Sequence, residues 1–253
     1  MSASSSDPHA LKTLLFRLAD DELVIGHRDA EWTGHGPILE ADIAFSSMAQ
    51  DELGHAQVYY SLLHELGEAD PDRLAFLRGP ADFRCAQLVE WPRGDWAFSL
   101  TRQFLYDAAE TVRLAALAHS RYAPLAQAAR KFAGEEKYHW LHGRTWVQQL
   151  GGAGGESRRR LQAALDQAFP DALGLFETTE ADAAIVAAGL QKPEAELQAE
   201  WLNLIRPVLE AAGLVVPTAE PRLGGRRGAH TAHLAVLLDE MQLVFRSEPE
   251  AEW

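Results

Sequence analysis

Apolar residues recur along this chain at steps of three and four, the period of a helix that buries one face. Leu11, Leu14, Leu15, Leu18 and Ile25 predict a first helix from about His9 to Arg28. "EWTGHGP" then breaks the pattern, its glycines and Pro37 marking a turn. A second helix is expected from about Ile38 to Leu66, with Ile38, Ala41, Phe45, Met48, Tyr59 and Leu62 on one stripe. Residues 68–94 hold Pro80, Pro92 and Gly94 and predict an irregular crossing, with room for a short helix or extended piece in "DFRCAQLVEWP". Two more long helices are expected at about Trp96–Arg121 and Pro124–Leu150, the second closed by "GGAGG". Further helices are expected at about Glu156–Phe176, Pro193–Ala212 and Ala229–Phe245. No stretch alternates in the manner of a strand. The pattern predicts an all-α chain forming one domain over 1–253: a loose tail at 1–8, a four-helix bundle over 9–150, and appended helices over 151–253.

Polar residues intrude on the stripes that should be buried. Glu22 lies on the first stripe, and Glu52 with His55 on the second. Asp107 shares a face with Leu100, Phe104, Leu114 and Leu117, while Glu136 and His139 share one with Leu125, Phe132, Trp146 and Leu150. A lone buried carboxylate costs several kcal/mol unless it is paired or coordinated. The intrusions also repeat. Glu22 precedes Glu52 by 30 residues, Asp107 precedes Glu136 by 29, and each second acid opens a Glu-x-x-His, in "ELGH" and "EKYH". One carboxylate from each of two helices plus Glu-x-x-His from each of the other two is the pattern of ferritin-like dinuclear carboxylate bundles. Glu110, one turn beyond Asp107, is the rival ligand; the offset that mirrors the first half favours Asp107.

The six candidate metal ligands are therefore Glu22, Glu52, His55, Asp107, Glu136 and His139. Their four carboxylates balance two divalent cations, and mixed oxygen and nitrogen donors suit iron or manganese. Asp51 and Glu135, just before the motif acids, are expected to face outward or to stand behind the ligands, as is His142. His230 and His233 lack matching acids and read as structural. Arg158–Arg160, Arg226 and Arg227 read as solvated charge.

Composition narrows the function classes. A net charge of −14 argues against generic nucleic-acid binding. No apolar run approaches the roughly 20 residues of a membrane span, and the start has no signal-peptide pattern. The single cysteine, Cys85, excludes an intramolecular disulfide framework and fits a reducing cytoplasm. Neither a dinucleotide-binding fingerprint nor a set of iron–sulfur cysteines is present, so electrons for any oxygen chemistry must come from a separate reductase.

Three stretches, "LADDELVIGHRDAEWTGHGPILEADIAFSSMAQDELGHAQ", "RQFLYDA" with "EKYHW", and "GGRRGAHTAHLAVLLDEMQ", resemble the phenylacetyl-CoA epoxidase family, and within it the PaaC branch. The resemblance covers nearly the whole chain. It implies a ferritin-like fold and a place in a multicomponent monooxygenase of aerobic phenylacetate breakdown, acting on a CoA thioester. It further implies docking onto the catalytic PaaA component, which holds the di-iron site; PaaC components usually lack several ligands. Here all six positions match the ligand pattern of the catalytic component. The expectation is a PaaC-like subunit with its own dinuclear centre, which self-associates when alone. The alternatives are a structural scaffold or a stand-alone di-iron or di-manganese oxidase.

Overall fold

The computed structural model describes residues 8–248 and 251, and among them all regular structure is helical. The helices are α1 (Pro8–Ala30), α2 (Leu39–Glu65), α3 (Pro71–Phe76), α4 (Gln87–Glu90), α5 (Trp96–Leu117), α6 (Ala123–Gly152), α7 (Gly155–Leu173), α8 (Asp182–Ala187), α9 (Glu194–Ala211), α10 (Ala232–Met241) and α11 (Leu243–Ser247). The expected tail at 1–8 lies outside the described residues except for Pro8, which opens α1.

Helices α1 and α2 form one hairpin and α5 and α6 another, joined by the crossing 66–95. Two antiparallel pairs with one long crossover make the ferritin-like arrangement. The first hairpin turns on "EWTGHGP". Gly34 has φ +81°, in the left-handed region that favours glycine. A Cβ on Gly36 would lie 2.6 Å from the Asp42 backbone nitrogen, and the Gly36 N–H donates to the Asp42 carboxylate at 2.9 Å. Helix α5 starts where Asp95 Oδ1 accepts from the Phe98 N–H at 2.9 Å, an N-cap.

Helix α1 is more buried than its apolar stripe predicts, because the crossing and the C-terminal segment cover its polar side. Asp20 accepts from Tyr60 Oη at 2.6 Å and from the Arg84 N–H at 2.7 Å. Asp21 pairs with Arg226 at 2.7 Å and accepts from the Ala86 N–H. Arg28 donates to the Glu90 and His233 carbonyls, and Asp29 pairs with Arg102 at 3.0 Å inside the core. These buried charges each find a partner distant in sequence, which local periodicity does not register.

The appended helices buttress α5. Helices α7 and α9 pack on it, Trp201 Nε1 donates to the Leu105 carbonyl at 3.0 Å, and Arg113 reaches Glu194 at 3.1 Å. Several boundaries differ from the sequence reading. The crossing contains α3 and α4, and α8 is additional. The "GGAGG" run does not end α6 at once, since Gly151 and Gly152 remain helical and the turn comes at Gly154 and Gly155. The last expected helix is split into α10 and α11 at Gln242, whose buried amide donates to the Arg78 carbonyl at 2.9 Å. Ile38, placed on a core stripe from sequence, is 48% exposed. Arg226 is buried against Asp21 rather than solvated.

Candidate metal centre

All six sequence-predicted residues come together between the two hairpins, each at most 2% exposed. Ligand atoms of Glu22, Glu52 and His55 lie within 4.8 Å of one another, and so do those of Glu52, Asp107 and His139. Glu52 is therefore common to both sets. His55 Nδ1 stands 3.4 Å from Glu52 and 3.8 Å from Glu22, while His139 Nδ1 stands 3.4 Å from Glu52 and 3.2 Å from Glu136. Glu136 falls in neither triplet but flanks the second. Helix α2 thus lends Glu52 to both sets.

Two residues tie the halves together. Glu135 of α6 lies 2.8 Å from Nε2 of His55 on α2, and Asp51 of α2 lies 3.1 Å from Nε2 of His139 on α6. The acid before each motif glutamate thus holds the imidazole of the opposite helix, with Nδ1 turned inward. Sequence offered a signal for this, since both motifs carry an acid at that position. Gln103, unremarked from sequence, donates to Asp107 Oδ1 at 2.7 Å. Glu110 points beside Arg113, 3.5 Å away, and is absent from both triplets.

Whether a cation fits is decided by the atoms left over. Glu22 Oε2, both Glu52 oxygens, His55 Nδ1, Asp107 Oδ2 and Glu136 Oε1 are buried and make no hydrogen bond. Buried polar atoms are normally satisfied. Six unsatisfied atoms of metal-ligating type, converging from four helices, match what a divalent cation requires. The buried charges elsewhere on α1 have protein partners; Glu22 has only its neighbours in the cluster.

The electrostatics agree. Burial raises the Glu22 carboxyl well above the usual range, and the neighbouring Glu52 adds to the rise. Burial, then Glu136, does the same for Asp107. Burial pushes Glu110 up to about 8 against the pull of Arg113. Burial also works against ionisation of Glu52, yet Glu22, His139 and His55 around it hold it well below the usual range. His139 is raised despite burial, by Glu136 and Glu52. Protons here take the place of positive charge that the carboxylates demand.

A third cluster, Cys85, Glu90 and His230, also has its ligand atoms within 4.8 Å of one another. Its hydrogen-bonding capacity is used internally. Glu90 is 2.7 Å from His230 Nδ1 and accepts from the Thr231 N–H and hydroxyl, and His230 Nε2 is 3.0 Å from the Phe83 carbonyl. His230 therefore does have an acidic partner, contrary to the sequence reading, and it fastens the C-terminal segment to α4.

Residues 2–253 match the family described as Phenylacetic acid catabolic protein. The chain belongs to that family. This family member is 35% identical over 245 residues to the C subunit of the 1,2-phenylacetyl-CoA epoxidase of Escherichia coli K12, covering 96% of the chain and 99% of the relative. It is 26% identical over 215 residues to the A subunit of the same organism's epoxidase, covering 81% of the chain and 69% of the relative. A solved Synechococcus protein with aldehyde deformylating oxidase activity aligns with TM-score 0.47 and 18% identity, over 85% of this chain and 94% of that one. No described helix is long and apolar enough to cross a membrane.

Proposed function

We propose that this chain is the PaaC-like member of a phenylacetyl-CoA epoxidase-type oxygenase and holds a dinuclear metal centre of its own. The observation that carries the reading is the pair of buried donor triplets sharing Glu52, in a chain 35% identical to an epoxidase C subunit over nearly its full length. Glu22 and His55 would hold one ion, Asp107 and His139 the other, with Glu52 between them and Glu136 beside the second. Iron is the metal proposed, with manganese fitting the same donors. Bound iron supplies activation of dioxygen for attack on an aromatic ring.

The residues of the chain do the rest. Asp51 and Glu135 fix the tautomer and tilt of both imidazoles, the role of such outer carboxylates in metal sites. Gln103 leaves one Asp107 oxygen free by occupying the other. Four carboxylates balance two divalent cations, so the closed bundle carries no net charge at the centre, and burial keeps bulk water out. Electrons come from a separate reductase, the CoA thioester enters through the complex with the catalytic PaaA component, and the chain self-associates when alone, in the cytoplasm.

Elemental analysis of protein purified after growth with iron or manganese, combined with co-purification with PaaA, tests the proposal. The expected result is two ions per chain and a stable hetero-oligomer. A metal-free chain that still assembles would reduce the role to a scaffold. A metal-loaded chain that ignores PaaA would indicate a stand-alone oxidase.

A further inference from the structure

One turn past His139 on α6, His142 enters an aromatic cluster that no step above uses. Its ring centroid lies 5.7 Å from Phe45 and 6.4 Å from Trp146. Trp146 lies 5.7 Å from Trp96, and Trp96 lies 5.0 Å from Trp32. Residues three apart on a helix have Cβ atoms about 5–6 Å apart, so the series starts beside a proposed ligand. It ends at half-buried Trp96, which follows the exposed Gly94 and Asp95.

Resting on the metal reading above, we infer that Trp146 and Trp96 form a one-electron outlet, carrying an oxidising equivalent from the centre to the surface when no substrate takes it. Indole is among the side chains most easily oxidised by one electron, whereas Phe45 is far harder to oxidise, so the path runs through Trp146. Each hop moves one electron inward and one positive charge outward. The oxidant is dioxygen acting at iron; the electron is restored at Trp96 by an external reductant such as a small thiol.

Two details shape the path. Trp96 Nε1 is buried without a hydrogen-bond partner, so no base takes its proton, and the oxidised ring stays a mobile cation rather than a trapped neutral radical. The Arg93 guanidinium lies 4.9 Å from the Trp32 ring centre. A cation there favours the intact, electron-rich ring and opposes its oxidation. Trp32 is thus the disfavoured branch although it touches Trp96.

The test exposes chain loaded anaerobically with ferrous iron to dioxygen, without substrate or added reductant, then combines peptide mapping of oxidised tryptophan with low-temperature electron paramagnetic resonance. Iron content is measured first. Expected are an indole radical signal and oxygenated Trp146 and Trp96, with Trp32, Trp91 and Trp201 spared and zinc-loaded protein unmodified. Trp146→Phe should lose the Trp96 modification at unchanged iron content and melting temperature; should that variant fold poorly, Trp96→Phe should raise Trp146 modification several-fold by removing the exit. Iron bound but modification spread evenly over all tryptophans, or Trp96 still oxidised in folded Trp146→Phe, overturns the outlet alone. A chain that binds no iron overturns the metal reading and the outlet together.

Discussion

Glu135 lies 2.8 Å from the Nε2 of His55, and the two side chains belong to different hairpins. Asp51 repeats the relationship with His139 at 3.1 Å in the opposite direction. Each hairpin therefore sets the ligand geometry of the other, and both carboxylates do so from the outer face of α2 and α6, where their side chains are about a third exposed.

Removing these carboxylates should weaken metal binding without touching a proposed ligand. Glu135→Ala and Asp51→Ala are each expected to cost about 10- to 100-fold in metal affinity, the usual effect of losing such a partner. Competition with a chelator of known affinity measures it. Affinities equal to wild type in both variants would mean that the imidazoles are held by packing alone.

Glu22→Ala and Glu52→Ala should differ in kind. Glu22 belongs to one donor triplet and Glu52 to both. Loss of Glu22 should leave one of two ions bound, whereas loss of Glu52 should release both and abolish the metal-dependent rise in melting temperature. Metal-to-protein ratios after gel filtration distinguish the cases, and one ion retained by Glu52→Ala would argue against the shared position.

Stability without metal should fall as pH rises. Glu110 is raised from its ordinary value to about 8, and Asp29 to about 7, both first by burial; Glu22 and Asp107 move the same way. A carboxyl with a raised folded pKa binds more protons folded than unfolded, so its stabilising protonation is lost as pH rises from the ordinary carboxyl range towards the folded value. Chelator-treated protein is expected to melt progressively lower between about pH 4.5 and 8. Metal competes with the protons on Glu22 and Asp107, so the rise in melting temperature on adding metal should grow as pH rises. Thermal melts in a buffer series check both slopes.

Two glycines let the hairpins close around the site. A Cβ on Gly26 would meet Glu52 Cβ at 3.2 Å and the Ala49 carbonyl at 3.2 Å; one on Gly143 would meet the Phe104 backbone at 3.2 Å and Asp107 Oδ2 at 3.4 Å. Gly143→Ala is expected to cost about 1–3 kcal/mol through overpacking, against the small gain in helix propensity. Because the crowded Phe104 backbone lies one turn before Asp107, whose Oδ2 is also in contact, metal affinity should drop as well. Denaturant melts and metal titration of the same sample report the two effects.

Much of the site was legible in the sequence because helical periodicity and a duplicated pattern are local properties. Glu22, Glu52, His55, Asp107, Glu136 and His139 interrupt apolar stripes at matched offsets, and a 3.6-residue period puts them on inward faces without any knowledge of neighbours. Periodicity also located α1, α2, α5 and α6 to within a few residues. It misplaced Ile38, because the register of a stripe does not reveal that the first turn of α2 projects beyond the bundle. Trp96, Trp140 and Trp146 are half-buried and pack against the core, while the exposed large apolar side chains include Ile38, Leu39, Ile43 and Tyr138.

What tertiary structure decided lies between helices. Sequence placed Asp51 and Glu135 beside the ligands, but only the antiparallel approach of α2 and α6 makes each hold the other helix's histidine. The shared position of Glu52 likewise depends on distances across the bundle. The buried charges of α1 were invisible for the same reason: Asp21 meets Arg226, and Arg28 meets the Glu90 carbonyl, across more than 60 residues of chain. A helix period states which way a side chain points. Whether it finds a partner, a cation or nothing there depends on contacts that only folding brings together.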